Sequence, residues 1–258
     1  MNRLRSTGRA LLAAAAAAIF STAGGAADPG NAPLPRPRLW FRFTPGAGAG
    51  NRVRDDSGNG HDGRFESRRG ALAAHIVKTP YGPALQLAKG EGVRVPLTPD
   101  LAAVKALTVM AWVRPDDVNR HLAVVAMKGD RNPGRPETGY RLSVAWRTAF
   151  AELGFGKSGG VRISAPPFSI EAKRWAHLAL TFDGRDLILY IDAAEAARRH
   201  FQKPRRIQPF SSSDFTVGKY FWHDAYPFAG QLADVRIYDR ALTPEQVFRA
   251  AAQWLGPP

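Results

Sequence analysis

The sequence predicts an all-β fold closed by one short C-terminal helix, and three stretches carry that expectation. Residues 175–192, WAHLALTFDGRDLILYID, alternate on both sides of Asp183-Gly184, a dipeptide suited to a tight turn with positive φ. Residues 230–238 set Leu232, Asp234, Arg236 and Tyr238 against Ala233, Val235 and Ile237, the period-2 pattern of a strand with one apolar face. Thr243, Pro244 and Gln246 then supply a cap, an opening proline and a capping box. Val247, Ala250, Ala251 and Trp254 follow at helical spacing.

In chain order, residues 1–27 read as a secretory signal peptide. Arg3, Arg5 and Arg9 precede the apolar run LLAAAAAAIF, and small residues follow at a cleavage point. The run is short for a membrane span. Residues 28–37 form a proline-rich linker that forbids helix. Residues 39–43, LWFRF, read as a strand. The loop RDDSGNGHDG at 54–63 follows, in which glycines and Asn59 permit positive φ and Asp and Ser side chains can accept from nearby amides. It reads as a structural turn, or as a calcium loop in which Asp55, Asp56 and Asp62 would be the ligands, without EF-hand spacing.

Residues 83–96 hold two short strands around Gly-Glu-Gly. Residues 107–115, LTVMAWVRP, are apolar on both faces, which places them centrally in a sheet, ended by Pro115. Residues 121–128 form the next strand, and residues 139–145 and 150–155 a hairpin pair. No repeat at a solenoid period is visible. Residues 38–258 therefore read as one domain.

These phrases, in this order, resemble the LamG-like jellyroll family of the concanavalin A-like lectin/glucanase superfamily. The similar motifs are the D-x-SGNG-x-G loop, L-T-V-x-A-W-V-x-P, the W-x-H-L-A-L-T-x-D-G hairpin, the G-x-L-A-D-V-R-I-Y strand and A-L-T-P-E-Q-V. The resemblance implies a two-sheet antiparallel jellyroll sandwich. It also implies a structural calcium held by an acid in the closing strand. That acid is replaced here by Ala233, while Asp234 is expected on the opposite strand face. Where many members have Asp-Gly after the second hairpin strand, this chain has Asp192-Ala193. Alanine is strained at positive φ, so a different turn is expected.

Chemistry is sparse. With no cysteine, disulfides, thiolate metal sites and cysteine nucleophiles are excluded. Gly156-Lys157-Ser158-Gly159-Gly160 spells G-x-S-x-G, but a strand rather than a helix follows, so Ser158 is no nucleophile elbow. No Glu-x-Asp-x-Glu occurs, and His177 reads as a packed strand residue. No cofactor is expected beyond the open question of calcium.

The formal charge is +14, or +11 without Arg3, Arg5 and Arg9, a balance that attracts polyanions. Outside the cytoplasm these are acidic polysaccharides and wall polymers rather than nucleic acid, and no span is expected in the mature chain. Two features suit a ligand. The aromatic loop at 219–228 carries Tyr220, Trp222, His223, Asp224 and Tyr226. The other is a basic loop of Arg198, Arg199, His200, Lys203, Arg205 and Arg206. The reading is a non-catalytic bacterial module, secreted or periplasmic, that binds carbohydrate or an anionic glycoconjugate. The alternatives are a polysaccharide hydrolase or lyase of the same superfamily, or a protein-binding adhesion module.

Overall fold

The closing strand at residues 230–238 lies inside a sheet, with neighbours along both sides. The computed structural model describes residues 33–46, 50–67, 70–96, 99–102, 105–119, 122–129, 137–210, 213–220 and 226–255. The signal peptide and residues 28–32 of the linker lie outside them.

Among the described residues the strands are β1 (Leu39–Phe41), β2 (Arg52–Val53), β3 (Gly63–Glu66), β4 (Ile76–Lys78), β5 (Pro83–Leu87) and β6 (Gly92–Val95). Next come β7 (Leu107–Pro115), β8 (Ala123–Gly129), β9 (Gly139–Ala145), β10 (Thr148–Gly154) and β11 (Gly160–Ser164). The last are β12 (Ala176–Phe182), β13 (Asp186–Ile191), β14 (Ala194–His200), β15 (Phe215–Val217) and β16 (Gly230–Tyr238), before helix α1 (Pro244–Trp254). One sheet runs β14-β13-β12-β7-β16-β5-β4, with β1 also on β16; the other runs β11-β10-β9-β8-β15-β6-β3-β2. The pairs are antiparallel throughout, and the two sheets stack as the expected sandwich.

The main core lies between the sheets. Leu178, Leu180 and Phe182 of β12 face it, opposite Ile191, Leu189 and Leu187 of β13. The turn between them centres on Gly184-Arg185, with the Asp183 amide donating to the Asp186 carbonyl at 3.3 Å: Gly184 has φ +98, and the Arg185 and Asp186 amides donate to Asp183 Oδ1 at 2.7 Å. A second core fills the space between the outer face of the first sheet and α1. There Met110, Trp112, Ala179, Tyr190 and Ala233 meet Val247, Ala250, Ala251 and Trp254. The capping box of Thr243 and Gln246 starts the helix, and the Trp112 indole donates to the Ala251 carbonyl at 3.1 Å.

β16 departs from simple alternation. Its register against β7 shifts between Ala233 and Arg236, so Asp234 and Val235 together oppose Ala111 alone. Asp234 stands at φ +50, a conformation Asp tolerates better than most residues. This bulge reverses the phase of the strand. Leu232, Val235 and Ile237 all face the main core, while Ala233 and Tyr238 face the helix. Asp234 thus lies on the same side as Ala233, not opposite it. Its carboxylate accepts from Arg236 Nε at 3.0 Å, Arg236 Nη2 at 2.8 Å and the Trp40 indole at 2.6 Å. It thereby ties β1 to β16.

Two further expectations change. Asp192 and Ala193 have φ +50 and +64, so alanine is accommodated in the ordinary two-residue turn with both centres left-handed. The chain then returns as β14, which makes Arg198, Arg199 and His200 part of an edge strand rather than a loop.

His177 is fully buried between Trp112, 5.3 Å away, and the helix-facing side of the sheet. Both ring nitrogens lack a hydrogen-bond partner. Desolvation, helped by the Arg236 charge, pushes its pKa down to about 3. The stability this contributes is present above the unfolded value near 6.5 and is lost as pH falls towards 3. Desolvation raises neighbouring Asp192 to about 6, against the His177 amide and Arg174. Its contribution has the opposite sign, being lost as pH rises through 6.

His177→Leu is expected to be neutral or stabilising at pH 7, because it removes two unsatisfied polar atoms. Its advantage over the wild type should grow by roughly 3 kcal/mol between pH 6.5 and pH 4, read by urea unfolding at each pH. An equal advantage at both values would refute this assignment. Asp234→Asn keeps the left-handed backbone but leaves Arg236 buried without its counter-charge. It should cost about 3 kcal/mol, and an Asp234→Asn/Arg236→Met double variant should recover part of that in the same assay.

Candidate functional site

The aromatic loop divides into anchors and an undescribed tip. Lys219 is buried, and its ammonium pairs with Glu66 at 2.8 Å. Tyr220 is fully buried against Val124 and Met127, and meets Tyr226 edge-on at 5.6 Å. Phe228 enters the main core. Tyr220 therefore packs the sandwich instead of offering its ring to a ligand, while Tyr226 stays partly exposed beside it. Trp222, His223 and Asp224 lie outside the described residues.

The acidic loop is held by its own hydrogen bonds. The amides of Trp40, Ser57 and His61 donate to the Asp55 carboxylate at 2.9, 2.9 and 3.0 Å, and the Ser57 hydroxyl donates at 2.7 Å. The Asp55 amide donates to Asp62 at 2.8 Å, Arg52 pairs with Asp62, and Arg54 pairs with Asp56. Desolvation raises the Asp62 pKa, but the Asp55 amide and Arg52 outweigh it and hold the group below the usual range. Donors thus converge on oxygens that a calcium ion would need, and the three side chains do not fit such a site. Among the described residues no group of three or more His, Cys, Asp or Glu gathers as metal ligands. Asn59 instead donates to the carbonyls of Pro37 and Arg38 at 3.1 and 3.0 Å, fastening the linker to the turn.

Ser158 ends a short 3-10 turn that leads into β11, so the elbow context is absent. Glu152, fully buried on β10, is gripped by Arg141 at 2.5 and 2.8 Å and by Arg162 at 2.8 Å. It is a fixed counter-ion between two guanidiniums.

The basic residues make the more complete surface. β11 and β14 are the terminal strands of their respective sheets, and they lie side by side at one end of the sandwich. A groove of about 450 Å³ runs between them, lined by Gly160–Ser164 and residues 197–199. It gathers Arg162, Arg198 and Arg199. Arg162 stacks over Phe150, 5.3 Å from the ring centre, while bonding Glu152. Arg198 is paired with Glu195 at 2.6 Å and lies 3.5 Å from Asp186; the Glu195 bonds raise its pKa further. Arg199, opposite Leu187 on the exposed edge, has no ion-pair partner among the described residues. Nearby, Arg205 lies over Phe155 and Phe201 at 5.5 and 5.8 Å. Sequence reasoning found Arg198 and Arg199 but missed Arg162, which only the meeting of two sheet edges brings to them.

Among the described residues no helix is long and apolar enough to cross a membrane. The sequence matches no curated protein. Solved structures share the fold. Domain 4 of AbnA, a GH43 extracellular arabinanase from Geobacillus stearothermophilus, was solved with arabinotriose. It is 22% identical at TM-score 0.59, covering 84% of this chain and 98% of that one. The Ruminococcus gnavus IT-sialidase CBM40, solved with α2,3 sialyllactose, is 14% identical at TM-score 0.56, over 65% and 96% of the two chains. The binding domain of botulinum neurotoxin serotype G is 14% identical at TM-score 0.62, over 84% of this chain and 51% of that one. The family model Laminin_G_3 matches residues 87–248, from the end of β5 into α1. The chain accordingly belongs to this family of the concanavalin A-like lectin/glucanases superfamily.

Proposed function

We propose that this protein is a non-catalytic binding module for an acidic glycan, acting outside the cytoplasm. The observation that carries the proposal is the groove between β11 and β14, lined by Arg162, Arg198 and Arg199, of which Arg199 has no ion-pair partner among the described residues. A guanidinium offers a planar fork suited to carboxylate or sulfate groups. The groove is also bordered by the open backbone edges of two strands, which can donate to sugar hydroxyls. Fold neighbours solved with arabinotriose and with sialyllactose support a glycan ligand. The net charge of +14 favours an anionic one. Export rests on the signal pattern of residues 1–27.

Binding without turnover is favoured by the state of Glu152. Glycoside hydrolysis needs two carboxyl groups about 5 to 10 Å apart, one of them free to trade a proton. Glu152 is fully buried and both its oxygens are taken up by Arg141 and Arg162, so it faces no substrate.

The test is a printed array of neutral, uronic-acid and sialylated oligosaccharides. The wild type should bind acidic members, with affinity falling as salt rises. Arg199→Ala should weaken that binding about tenfold and Arg199→Glu more, both without loss of thermal stability, since the side chain is exposed. Binding confined to neutral sugars, or unchanged by either substitution, would remove the groove from the proposal. Release of reducing ends from any member would replace binding by hydrolysis.

A further inference from the structure

We infer that the cavity where β1, β16 and α1 meet is a second glycan site, which takes one sugar ring bearing a carboxylate. This rests on the acidic-glycan reading above but not on the groove. From β14 to β16 is four strand spacings across the first sheet, about 19 Å, so one ring cannot reach both places.

The site is built by two paired strands. In LWFRF, Leu39, Phe41 and Phe43 enter the main core, and Trp40 and Arg42 stay outside it. Trp40 sits opposite Arg236 in the β1–β16 register. The bulge in β16 turns Asp234 to that outer face as well. From α1 come Gln253 and the largely buried Trp254, and from the β4–β5 turn comes Tyr81. Together these residues border a cavity of about 550 Å³, a size usual for small-molecule sites.

Contacts among the bordering residues hold the cavity in shape. The Trp40 indole donates to Asp234 at 2.6 Å, and the guanidinium groups of Arg236 and Arg42 lie 4.3 and 5.1 Å from its ring centre. Arg236 Nη1 donates to Gln253 Oε1 at 2.8 Å, which joins the strand to the helix. The Tyr81 and Trp254 rings are 5.5 Å apart, and the Trp254 indole donates to the Pro83 carbonyl at 3.4 Å.

The occupant follows from the charges and from the hydrogen-bonding groups left over. Asp234, Arg236 and Arg42 are the charged residues bordering the cavity. The first two are buried and paired with each other at 2.8 Å. Arg42 is exposed; Asp234 is within its electrostatic reach, but it has no ion pair among the described residues. One positive charge is therefore in excess. The Asp234 carboxylate already accepts from three donors, whereas Arg42 and the Gln253 amide nitrogen have donors to spare. A ligand must bring acceptors, and a carboxylate brings them in the geometry that a guanidinium fork prefers. An aromatic acid would meet Arg42 but leave Gln253 and the Thr44 hydroxyl, which also borders the cavity, without partners. Sugar hydroxyls suit both, and the apolar face of the ring suits the aromatic lining.

Titration calorimetry with galacturonate, galactose and benzoate tests this on the wild type, Arg42→Ala, Gln253→Glu and Arg199→Ala. Galacturonate should bind the wild type about tenfold more tightly than galactose, which lacks the carboxylate, or benzoate, which lacks the hydroxyls. Arg42→Ala should weaken galacturonate about tenfold at an unchanged melting temperature, since the side chain is exposed. Gln253→Glu keeps an oxygen for Arg236 and should melt no lower, yet its negative charge should also weaken galacturonate about tenfold. Arg199→Ala should bind galacturonate as the wild type does. Binding lost in Arg199→Ala and kept in Arg42→Ala would put the sugar in the groove and overturn the site. Galactose or benzoate bound as tightly as galacturonate would overturn the ligand assigned to it. Acidic-array binding that depends on Arg199, with no galacturonate binding by the wild type, would overturn the cavity and leave the groove standing. Absence of both would overturn the function on which the inference rests.

Discussion

The bulge at Asp234 is the constraint on which the sandwich is arranged. β16 must serve three neighbours at once: β7 along one side, β5 and then β1 along the other. A strand of strict alternation would turn Leu232 away from the core that Val235 and Ile237 enter. Inserting one residue keeps all three inside. The inserted carboxylate then lies in a buried place, which is costly unless it is fully partnered. Arg236 supplies the charge and Trp40 the remaining donor, while the Arg236 guanidinium lies 4.3 Å from the Trp40 ring centre. One local irregularity thereby recruits β1 from the far end of the chain, 194 residues away.

Closing the structure around β16 decides where it stays open. The helix α1 covers the outer face of the first sheet at its centre, so Trp112, His177 and Trp254 are sealed there. Among the described residues, no helix covers the sheets at β11 and β14. An edge strand exposes unpaired backbone groups and invites aggregation, and charged side chains are one established defence. Arg162, Arg198 and Arg199 serve that purpose whatever else they do. Guarding an edge and holding an anion use the same chemistry, and Arg199, with no ion-pair partner among the described residues, has its charge available for either.

The parts of the fold legible in the sequence were those fixed by near neighbours in the chain. Asp183-Gly184 specifies its turn, and Thr243 to Gln246 specify the helix start, with no help from tertiary structure. The bulge was not legible, because the two-against-one count exists only when β7 lies alongside. β14 was hidden by its composition: AEAARRH lacks the β-branched and aromatic residues that mark strands, and pairing with β13 overrides that weak preference. Tyr220 was read as a ligand residue because its neighbours are aromatic, and burial is a property of the packed whole. Trp146-Arg147 carried no turn residue at all. Its departure from the usual Asn-Gly becomes visible only once β9 and β10 are seen to pair.

The same distinction governs the charge. A net +14 suggests a uniformly basic surface, yet most of the cations near acids are already engaged. Arg38 pairs with Asp239, Arg94 with Glu66 and Asp214, Arg174 with Glu171, and Arg240 with Asp239. Exposed pairs of this sort contribute at most about 1 kcal/mol each to stability, but they cancel the field that a ligand would feel. What a distant anion encounters is the remainder. Beyond about 8 Å at physiological salt only a cluster of uncancelled charges still attracts. Arg199 is such a charge, and Lys203, Arg205 and Arg206 follow it on the exposed connection after β14, without ion-pair partners among the described residues. Arg199, Lys203, Arg205 and Arg206 therefore form one cluster of uncancelled charge, set beside the edges of β11 and β14.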